Sequence, residues 1–498
     1  MCGKKEYGDY QTPFDFALAI CTFLRNKKNI EPDVILEPTC GIGNFLKSSL
    51  IFKASKYYGI EINPEYCQTC IDTITDACVE IVNADFFKFD LSKFRQENVL
   101  IIGNPPWVNS SSLSRLCSTN LPKKSNFKGL KGIEALTGAS NFDICEYILL
   151  QLLDTFSGSN ATIAMLCKTS VARNIFKELK RQRISFEYCD IIEFNAKKIF
   201  NINTAACLLL IKLTSHYNSP DYCDIYSFED TTKIKSSITL KNGQFLNKSI
   251  SKIDDFDGTC CFEWRQGIKH DCSAIMELTQ KDGKLINGKN DLVQIECDLI
   301  FPLVKSSMFK NPIIDFFSKY VIVTQKNVRE DTTYIKLNFP LTWNYLNCNK
   351  GLFDRRKSSI YRDSPPFSIF GIGSYSYSQY KVGVSGFYKD PFFSVLLSPD
   401  GKPVMTDDTS YFITFSTYDA AYTAMLYLNS SPVQSFLKNI AFLDAKRPYT
   451  KKVLSRLDFS KIIRQVNLTE LKLTESRLGI HPYITKNIVN HFHVSCSL

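Results

Sequence analysis

The first two hundred residues alternate between short apolar runs and longer segments that are compatible with helices. Four apolar runs between Val34 and Trp107 each end in a polar or glycine-rich turn: VILEPTCGIGNF, YYGIEINPE, EIVNADFF and NVLIIGNPPW. Segments such as FLKSSLIFKASK separate them and have the character of helices. Strands that alternate with helices form parallel sheets with right-handed crossovers. The pattern therefore predicts an α/β, Rossmann-like domain, which further apolar segments complete before Leu213.

The pattern changes after residue 213. The polar segment TSHYNSPDY is rich in turn residues, and we interpret residues 214–222 as a linker. Residues 223–498 carry many short strand-like runs, are rich in Tyr, Phe, Ser, Lys and Arg, and have few helical periodicities before Asp419. We therefore expect a catalytic domain at residues 1–213 and a C-terminal, mixed α+β domain at residues 223–498.

Composition and charge are those of a basic globular protein. Apolar residues make up 44% of the chain and charged residues 22%, which is typical of soluble domains. The formal charge of +10 favours an anionic partner such as nucleic acid, although basic enzymes without such a partner also exist. The 18 cysteines are scattered, and neither a signal peptide nor a long apolar run accompanies them. These features predict a cytoplasmic protein with reduced thiols and no membrane partner.

A glycine-rich turn follows the first predicted strand. In residues 37–45, EPTCGIGNF, a strand ends, the chain turns on Gly41 and Gly43, and a helix begins. Glycines in such a turn let a ligand lie directly against the main chain. A dinucleotide fingerprint needs a third glycine where Leu46 stands, so the motif argues against NAD.

Carboxylates end the next two predicted strands. Glu61 is placed to accept hydrogen bonds from ribose hydroxyls, and Asp85 to accept one from an adenine amine, with Phe86 packed on the ring. Either carboxylate alone is also a common cap or turn residue. Ligand-type residues at the ends of three successive strands are harder to explain by packing, and they favour a cofactor beyond the carboxyl ends of the strands.

The fourth predicted strand ends in the most specific motif of the chain, GNPPW at residues 103–107. An exocyclic amine of a base is a poor nucleophile because its lone pair is delocalised into the ring. The side-chain oxygen of Asn104 and the carbonyl of Pro105 can each accept one amine hydrogen and turn the lone pair toward a methyl donor. Pro106 fixes the backbone, and Trp107 is predicted to stack on the base. We expect direct in-line transfer, with the proton lost afterwards and without a metal.

These motifs resemble those of gamma-class DNA adenine methyltransferases of type II restriction-modification systems, in the branch similar to the methylase part of fused restriction-and-methylation enzymes. The order is that of the class, because Thr12-Pro13 stands before the glycine motif and the NPP motif follows it. The resemblance implies a class I fold, S-adenosylmethionine as cofactor, and DNA target recognition by residues 223–498. The cofactor residues that we predict are Thr12, Pro13, Glu37, Pro38, Gly41, Gly43, Asn44, Glu61, Ile62, Asp85, Phe86 and Asn104.

The identity of the base and of the substrate leaves alternatives open. The family places an aromatic residue before a late strand, where it stacks on the extruded base, and Phe200 matches that position. Trp107 departs from the usual tyrosine or phenylalanine and also occurs in cytosine-amine methyltransferases, so the cytosine N4 amine is the alternative to adenine. Methyltransferases of ribosomal RNA or protein glutamine carry similar motifs but are usually much shorter. A non-catalytic DNA-specificity protein would not require Asn104, Gly41, Gly43 and Glu61.

An enzyme of this kind has to flip its base out of the duplex and hold the surrounding DNA. Residues 353–362 interleave basic, hydroxyl and aromatic side chains, which phosphate and base-edge contacts use, although a solvated basic loop has the same composition. The predicted DNA contacts are Arg355, Arg356, Lys357, Tyr361, Arg362, Tyr375, Tyr377, Lys381, Lys446 and Arg447. We find no nuclease motif, and Cys67 and Cys70 lack the second pair that zinc needs. We expect a monomer that acts on double-stranded DNA, with a separate cognate restriction endonuclease that shares its site.

Overall fold

The computed structural model describes residues 10–108, 143–216, 219–247, 256–397 and 400–496. In the described part of the first half, ten strands form one mixed sheet. These strands are β1 (Val34–Glu37), β2 (Lys56–Glu61), β3 (Val79–Asn83), β4 (Val99–Gly103), β5 (Thr162–Lys168), β6 (Phe186–Phe194), β7 (Ala206–Leu213), β8 (Tyr222–Ser227), β9 (Ser236–Lys241) and β10 (Gln244–Asn247). Their order across the sheet is β10-β9-β8-β6-β7-β5-β4-β1-β2-β3.

The centre of the sheet is parallel and buried. Strand β1 pairs in parallel with β2 and with β4, and β4 pairs in parallel with β5. All residues of β1 and β4 are buried, which explains why both strands are continuous apolar runs. The chain moves outward through β2 and β3 and then returns to the other side of β1. This reversal between β1 and β4 is the position at which open α/β sheets bind ligands.

Six helices accompany this sheet in the described residues. They are α1 (Phe14–Lys28), α2 (Asn44–Ser49), α3 (Pro64–Thr73), α4 (Ile144–Phe156), α5 (Thr169–Gln182) and α6 (Ala196–Phe200). Local chemistry sets their first residues. Asn63 accepts from the amide of Glu65 at 2.9 Å and Pro64 takes the first position of α3, while Asp143 caps α4 through the amide of Cys145 at 3.1 Å.

The predicted domain boundary at residue 213 is displaced. The chain forms two compact units, Met1–Ser251 and Lys252–Leu498. Strand β8 begins at Tyr222, at the end of the predicted linker, and pairs in parallel with β6, while β9 and β10 continue the same sheet. Polar, turn-rich residues therefore mark a loop within the first unit, because a strand on the edge of a sheet needs only a turn before it.

The second unit contains two smaller sheets. Its strands are β11 (Arg265–Gln266), β12 (Glu277–Lys281), β13 (Lys284–Asn287), β14 (Ile300–Val304), β15 (Ile313–Ile314), β16 (Lys319–Ile322), β17 (Tyr380–Ser385), β18 (Phe393–Leu396), β19 (Met405–Thr406) and β20 (Ser410–Phe415). One five-stranded sheet has the order β11-β20-β17-β18-β15, and the other has the order β13-β12-β16-β14-β19.

Helices complete the second unit. They are α7 (Ser273–Met276), α8 (Tyr334–Asn338), α9 (Pro340–Cys348), α10 (Lys350–Asp354), α11 (Tyr418–Asn429), α12 (Ser431–Ile440), α13 (Lys451–Leu454), α14 (Phe459–Gln465), α15 (Leu468–Arg477) and α16 (Lys486–Cys496). The predicted fold class, a Rossmann-like domain followed by a mixed α+β region, is confirmed. Among the residues that the structure describes, no helix has both the length and the apolar character that crossing a bilayer requires.

Candidate active site

A cavity lies at the carboxyl ends of β1 to β4, beside the reversal in the sheet. Its empty volume, counting the solvent at its mouth, is about 1050 Å³. We call it the sheet-edge cavity. All predicted cofactor residues line it except Pro13 and Gly43. Further lining residues, which the sequence analysis did not assign, are Tyr10, Gln11, Thr39, Cys40, Phe45, Ile60, Asn63, Tyr66, Ala84, Phe87, Val108, Ile144 and Ile148.

Gly41 and Glu61 are joined at the edge of this cavity. Gly41 has a φ of +53°, and a Cβ there would stand 2.5 Å from Oε1 of Gln11. The amide of Gly41 donates to Oε2 of Glu61 at 2.8 Å, and the amide of Asn63 donates to Oε1 at 2.8 Å. A carboxylate offers about four lone-pair directions, so a side chain that accepts from main-chain amides can also accept from the ribose hydroxyls that the sequence predicts.

Gly43 has a packing role that the sequence did not reveal. Its φ is +77°, and a Cβ would meet Cδ1 of Ile74 at 2.8 Å and Sγ of Cys70 at 2.9 Å. Gly43 is the residue before α2, and Cys70 lies on α3, so the glycine allows these two helices to approach. Gly43 thus allows close helix packing next to the cavity, and its predicted contact with the cofactor stays a prediction.

Two threonine hydroxyls lie buried at the cavity wall. Within the described ranges of the chain, neither Oγ1 of Thr12 nor Oγ1 of Thr39 has a hydrogen-bond partner. The Thr12 carbonyl accepts from Nδ2 of Asn44 at 2.8 Å, which ties the N-terminal segment to α2. Pro13 is exposed and precedes the first residue of α1. Both hydroxyls can therefore bind a polar ligand or water in the cavity, since a buried hydroxyl without any partner costs about 1–3 kcal/mol.

Glu37 forms part of the cavity floor. Only 3% of its surface is exposed, and its Oε2 accepts from the amide of Leu46 at 3.1 Å. Burial raises the pKa of the Glu37 carboxyl well above its usual value, and the nearby Cys70 and Glu61 act in the same direction. The site therefore favours the protonated form of Glu37, which can donate as well as accept a hydrogen bond.

One wall of the cavity is apolar. Phe86 is buried, with its ring edge-on to Phe87 at a centroid distance of 5.5 Å. Ile144 and Ile148 of α4 complete this wall. Their spacing of four residues places them on one helix face, a signal present in the sequence but shared with any core helix. Asp85 accepts from the amide of Phe87 at 3.0 Å.

Asn104 follows β4 and enters the cavity with one of its two amide atoms engaged. Its Nδ2 donates to the backbone carbonyl of Tyr10 at 2.9 Å. Its Oδ1 is buried and has no hydrogen-bond partner among the described residues. Pro106 also lines the cavity, whereas Pro105 and Trp107 do not. The structure therefore presents a neutral, unsatisfied acceptor at the tip of the fourth strand.

Three aromatic rings gather next to this acceptor. Trp107 is only 7% exposed, and its indole Nε1 donates to the Leu166 carbonyl at 3.3 Å. The Phe200 ring lies edge-on to Trp107 at a centroid distance of 5.6 Å, and the Tyr10 ring is 6.4 Å from each of them. The structure thus brings together the two predicted stacking residues and adds Tyr10, which is 40% exposed.

The predicted DNA contacts fall into two groups by exposure. Arg355, Lys357, Arg362 and Lys446 are exposed. The other basic residues are held by the protein. Arg356 donates to the carbonyls of Ser368 at 2.7 Å and His270 at 3.3 Å, and its guanidinium stacks 3.7 Å from the centroid of the Tyr361 ring.

The remaining predicted contacts are also engaged within the second unit. Arg447 donates to the Asp408 carbonyl at 2.9 Å. Tyr375 lies under the Arg265 guanidinium at 4.4 Å, and the Tyr377 hydroxyl donates to the Gln325 carbonyl at 3.3 Å.

The prediction for Lys381 is wrong. This residue is 1% exposed, and its ammonium donates to the carbonyls of Ser376 and Ser378 at 2.9 Å and of Val404 at 2.8 Å. A lysine in a tyrosine-rich, glycine-rich stretch looks like a DNA contact in sequence, but three backbone acceptors bury it in the interior of the unit. Sequence composition does not distinguish these two environments.

Comparison with known proteins identifies the family. Residues 2–276 match the family model described as N-6 DNA Methylase. The chain belongs to this family. The N-6 DNA methylase is 37% identical over 485 residues to the type II methyltransferase M.NspV of Nostoc sp. (strain ATCC 29411 / PCC 7524), covering 93% of this chain and 98% of the relative. It is 25% identical over 307 residues to the modification methylase CviBIII of Paramecium bursaria Chlorella virus NC1A, covering 58% and 74%.

A solved structure shares the architecture. The type IIL restriction-modification enzyme MmeI in complex with DNA matches 97% of this chain and 72% of its own, with a TM-score of 0.56 and 14% identity. Among DNA bases only adenine carries an amine at position 6, so the family confirms the predicted choice of adenine over cytosine. The N-6 DNA methylase is an adenine-specific DNA methyltransferase with the fold of S-adenosylmethionine-dependent enzymes.

Proposed function

We propose that the chain methylates the N6 amine of an adenine that has been flipped out of duplex DNA, with S-adenosylmethionine in the sheet-edge cavity. The observation that carries this proposal is the orientation of Asn104. Its amide nitrogen is occupied by the Tyr10 carbonyl, so the unsatisfied Oδ1 is the atom offered to a ligand. An amine with two hydrogens is the complement of such an acceptor.

The cavity has the features that this cofactor needs. The absence of a Cβ at Gly41 and the hydroxyls of Thr12 and Thr39, which have no hydrogen-bond partner among the described residues, suit a ligand with a polar amino-acid part. Glu61 would accept from the ribose, and the wall that contains Phe86 and Ile144 would hold the adenine ring. When bound, S-adenosylmethionine supplies an electrophilic methyl group on a positively charged sulfur.

Asn104 and Pro105 activate the target amine in this proposal. Oδ1 of Asn104 accepts one amine hydrogen and the Pro105 carbonyl accepts the other, which draws the nitrogen out of conjugation with the ring. Because an amide is a far weaker base than a carboxylate, Asn104 holds the amine without first removing a proton. The proton leaves the amine only after the nitrogen has gained the methyl group.

The three rings and the exposed cations serve the DNA in this proposal. Phe200, Trp107 and Tyr10 surround the place where the base enters, and Arg355, Lys357, Arg362 and Lys446 bind phosphates. The motif order is that of the gamma class. The name of the relative M.NspV, a type II methyltransferase, supports a role in a restriction-modification system, in which methylation protects the DNA of the cell from a separate endonuclease.

The Asn104→Ala variant tests the mechanism. The substitution removes the acceptor at the strand tip, and we expect methyl transfer to fall at least about 100-fold, the effect of losing one polar contact made in the transition state. Affinity for S-adenosylmethionine, measured by calorimetry, should change little, because Thr12, Thr39 and Glu61 remain. Turnover near that of the wild type would refute the mechanism.

Sequencing of DNA tests the substrate. Single-molecule sequencing of DNA from cells that express the chain should show N6-methyladenine at one sequence motif, and none in cells that express Asn104→Ala. Modification of cytosine, or of no base, in cells that contain the wild-type chain would contradict the proposal. The same experiment gives the recognition sequence that later assays need.

A further inference from the structure

An ion pair lies where the loop after β4 meets the first turn of α4. Lys168 ends β5, and its ammonium donates to Oδ2 of Asp143 at 2.6 Å and to the backbone carbonyl of Trp107 at 3.2 Å. The Asp143 side chain is 7% exposed and the Lys168 side chain 24%. One cation thus joins a buried carboxylate to the residue that directly follows Asn104-Pro105-Pro106.

The partners of this ion pair belong to the site. The second oxygen of Asp143 accepts from the amide of Cys145 at 3.1 Å, at the start of the helix whose Ile144 and Ile148 line the cavity. The amide of Ile144 donates to the Val108 carbonyl at 3.0 Å. Lys168 and Asp143 therefore lie where α4, which lines the cavity, contacts the loop that contains Asn104 and Trp107.

Trp107 is held at two points by one strand. Its indole donates to the carbonyl of Leu166, and its carbonyl accepts from Lys168, two residues further along β5. Without the lysine, Trp107 keeps its indole bond to β5 and loses the bond to its backbone carbonyl, and Asp143 is left without its cation. Loss of the bond to the Trp107 carbonyl favours movement of the loop. Asp143 without its cation takes up a proton or turns toward water, because a buried charge without a partner is costly.

We propose that Lys168 is a positioning residue for methyl transfer, which fixes the Asn104–Trp107 loop against α4 through the Trp107 carbonyl. The inference rests on the function proposed for Asn104. Lys168 acts on the geometry of the loop and has no contact with the reacting atoms. A displacement of about 1 Å at a reacting centre costs roughly 100-fold in rate, so the bond to one carbonyl has a large effect.

The chain offers a matched control in the same unit. Lys28 and Asp190 form an ion pair of 2.6 Å, with side-chain exposures of 24% and 7%, the same values as for Lys168 and Asp143. Neither Lys28 nor Asp190 lines the sheet-edge cavity. Each lysine also has contacts beyond its carboxylate: Lys28 lies 5.2 and 5.3 Å from the ring centroids of Tyr188 and Tyr226, and Lys168 donates to the Trp107 carbonyl. We therefore expect the two substitutions to lower stability by comparable amounts, whereas only loss of Lys168 affects the loop.

The experiment compares Lys168→Met with Lys28→Met in the full chain. Thermal unfolding midpoints should fall by similar amounts. With plasmid DNA from cells that lack adenine methylation, kcat should fall 10- to 100-fold for Lys168→Met and less than threefold for Lys28→Met. The KM for DNA and the affinity for S-adenosylmethionine should stay within about threefold in both variants. Equal rates for the two variants, or a parallel loss of cofactor affinity and rate in Lys168→Met, would overturn the inference.

Asp143→Asn provides a second, isosteric test that does not depend on the folding of the methionine variant. The amide retains the cap on α4 and loses the charge, so kcat should fall about 10-fold. The double variant should be no slower than Lys168→Met alone, because the two residues act as one unit. If the double variant instead loses the product of the two single losses in kcat, the two residues act independently and the inference is contradicted. If Asn104→Ala remains active, the proposed function fails; if Asn104→Ala is inactive and Lys168→Met transfers normally, only the present inference fails.

Discussion

At the scale of single residues, the site combines groups whose roles were readable in sequence with groups that only the fold reveals. Asn104 is recognisable because its motif is specific, and Glu61 because it ends the strand that follows the glycine-rich turn. Thr39 and Tyr10 were missed, since a threonine in a turn and a tyrosine near the start of a helix are ordinary residues until the fold places them at a cavity. Only the fold shows that they belong to the site, because the N-terminal segment contacts the end of β4 through the bond between Tyr10 and Asn104.

Phe200 gives a prediction at this scale. Phe200→Ala should weaken base flipping, because it removes a ring that lies edge-on to Trp107 at 5.6 Å and borders the place where the base enters. The fluorescence rise of 2-aminopurine at the target position of a duplex should shrink several-fold. Phe228→Ala is the control, since its ring contacts Phe16 and Phe23 and, among the described residues, neither Phe200 nor Trp107. An unchanged signal in Phe200→Ala would exclude the stacking role.

Lys381 gives a second prediction, on pH. Burial lowers the pKa of its ammonium to about 7. Between pH 7 and the value of about 10.4 in an unfolded chain, the unfolded state binds more protons, so stability rises with pH. Below pH 7 the cost of the buried charge is fully present. The free energy of unfolding of the wild type, relative to Lys381→Met, should rise by up to about 1.4 kcal/mol per pH unit from pH 7 to 9. Urea unfolding at four pH values measures this, and a constant difference would contradict it.

At the scale of secondary-structure elements, the sequence predicted the central strands well. Strands β1 to β4 are continuous apolar runs that end in specific turns, and such runs have few alternatives once helices separate them. The edge strands β8 to β10 were not foreseen. They carry polar and half-buried residues, and their pairing depends on a neighbour that is distant in sequence. The periodicity of a segment does not show which distant strand it pairs with. The boundary was therefore predicted at residue 213, before these strands, whereas the first unit ends at Ser251.

Gly43 gives a prediction at this scale. Gly43→Ala introduces a methyl group within 3 Å of Ile74 and Cys70, in a left-handed conformation with φ of +77°. We expect a loss of about 1 kcal/mol from the conformation and about 1–3 kcal/mol more from the crowding of α2 and α3.

Gly243→Ala is the matched control for this substitution. Its φ is +72°, and its Cβ would meet nothing within 4 Å, so only the conformational loss applies. Thermal and urea unfolding of the two variants separate the two contributions. Equal losses would mean that the helices adjust to the methyl group at no cost.

At the scale of the whole molecule, fewer of the cations predicted to contact DNA are exposed than the sequence suggested. Several of the cations predicted to contact DNA are occupied by backbone carbonyls or carboxylates, and the exposed ones remain as candidates. The net charge of a chain indicates the sign of its partner's charge, and it does not show which side chains face that partner. Recognition of DNA was predictable as a function from the motifs, and its residues were not, because arginine and lysine serve equally well inside a folded unit.

The exposed cations give a prediction of salt dependence. The double variant Arg355→Ala/Lys357→Ala should bind DNA more weakly, and the slope of log affinity against log salt should decrease by about 2, since each phosphate contact contributes roughly 0.9. Lys281→Ala/Lys284→Ala changes the same charge on the exposed hairpin of β12 and β13 and is the control. Fluorescence anisotropy with a labelled duplex at several salt concentrations measures both. If the two double variants have equal slopes, Arg355 and Lys357 do not contact DNA phosphates.

The bond from Nδ2 of Asn104 to the Tyr10 carbonyl determines more than the position of a side chain. A carboxamide is nearly symmetric in shape, and a half-turn about its last bond would exchange oxygen for nitrogen. In the proposed mechanism the turned amide would point its N–H groups at those of the incoming adenine amine. Two sets of donors cannot form hydrogen bonds with each other, so the amine would not bind. The backbone of Tyr10, far upstream of the motif, thus sets which atom of Asn104 faces the cavity, and in the proposed mechanism a displacement of this backbone would stop methyl transfer although Asn104 itself is unchanged.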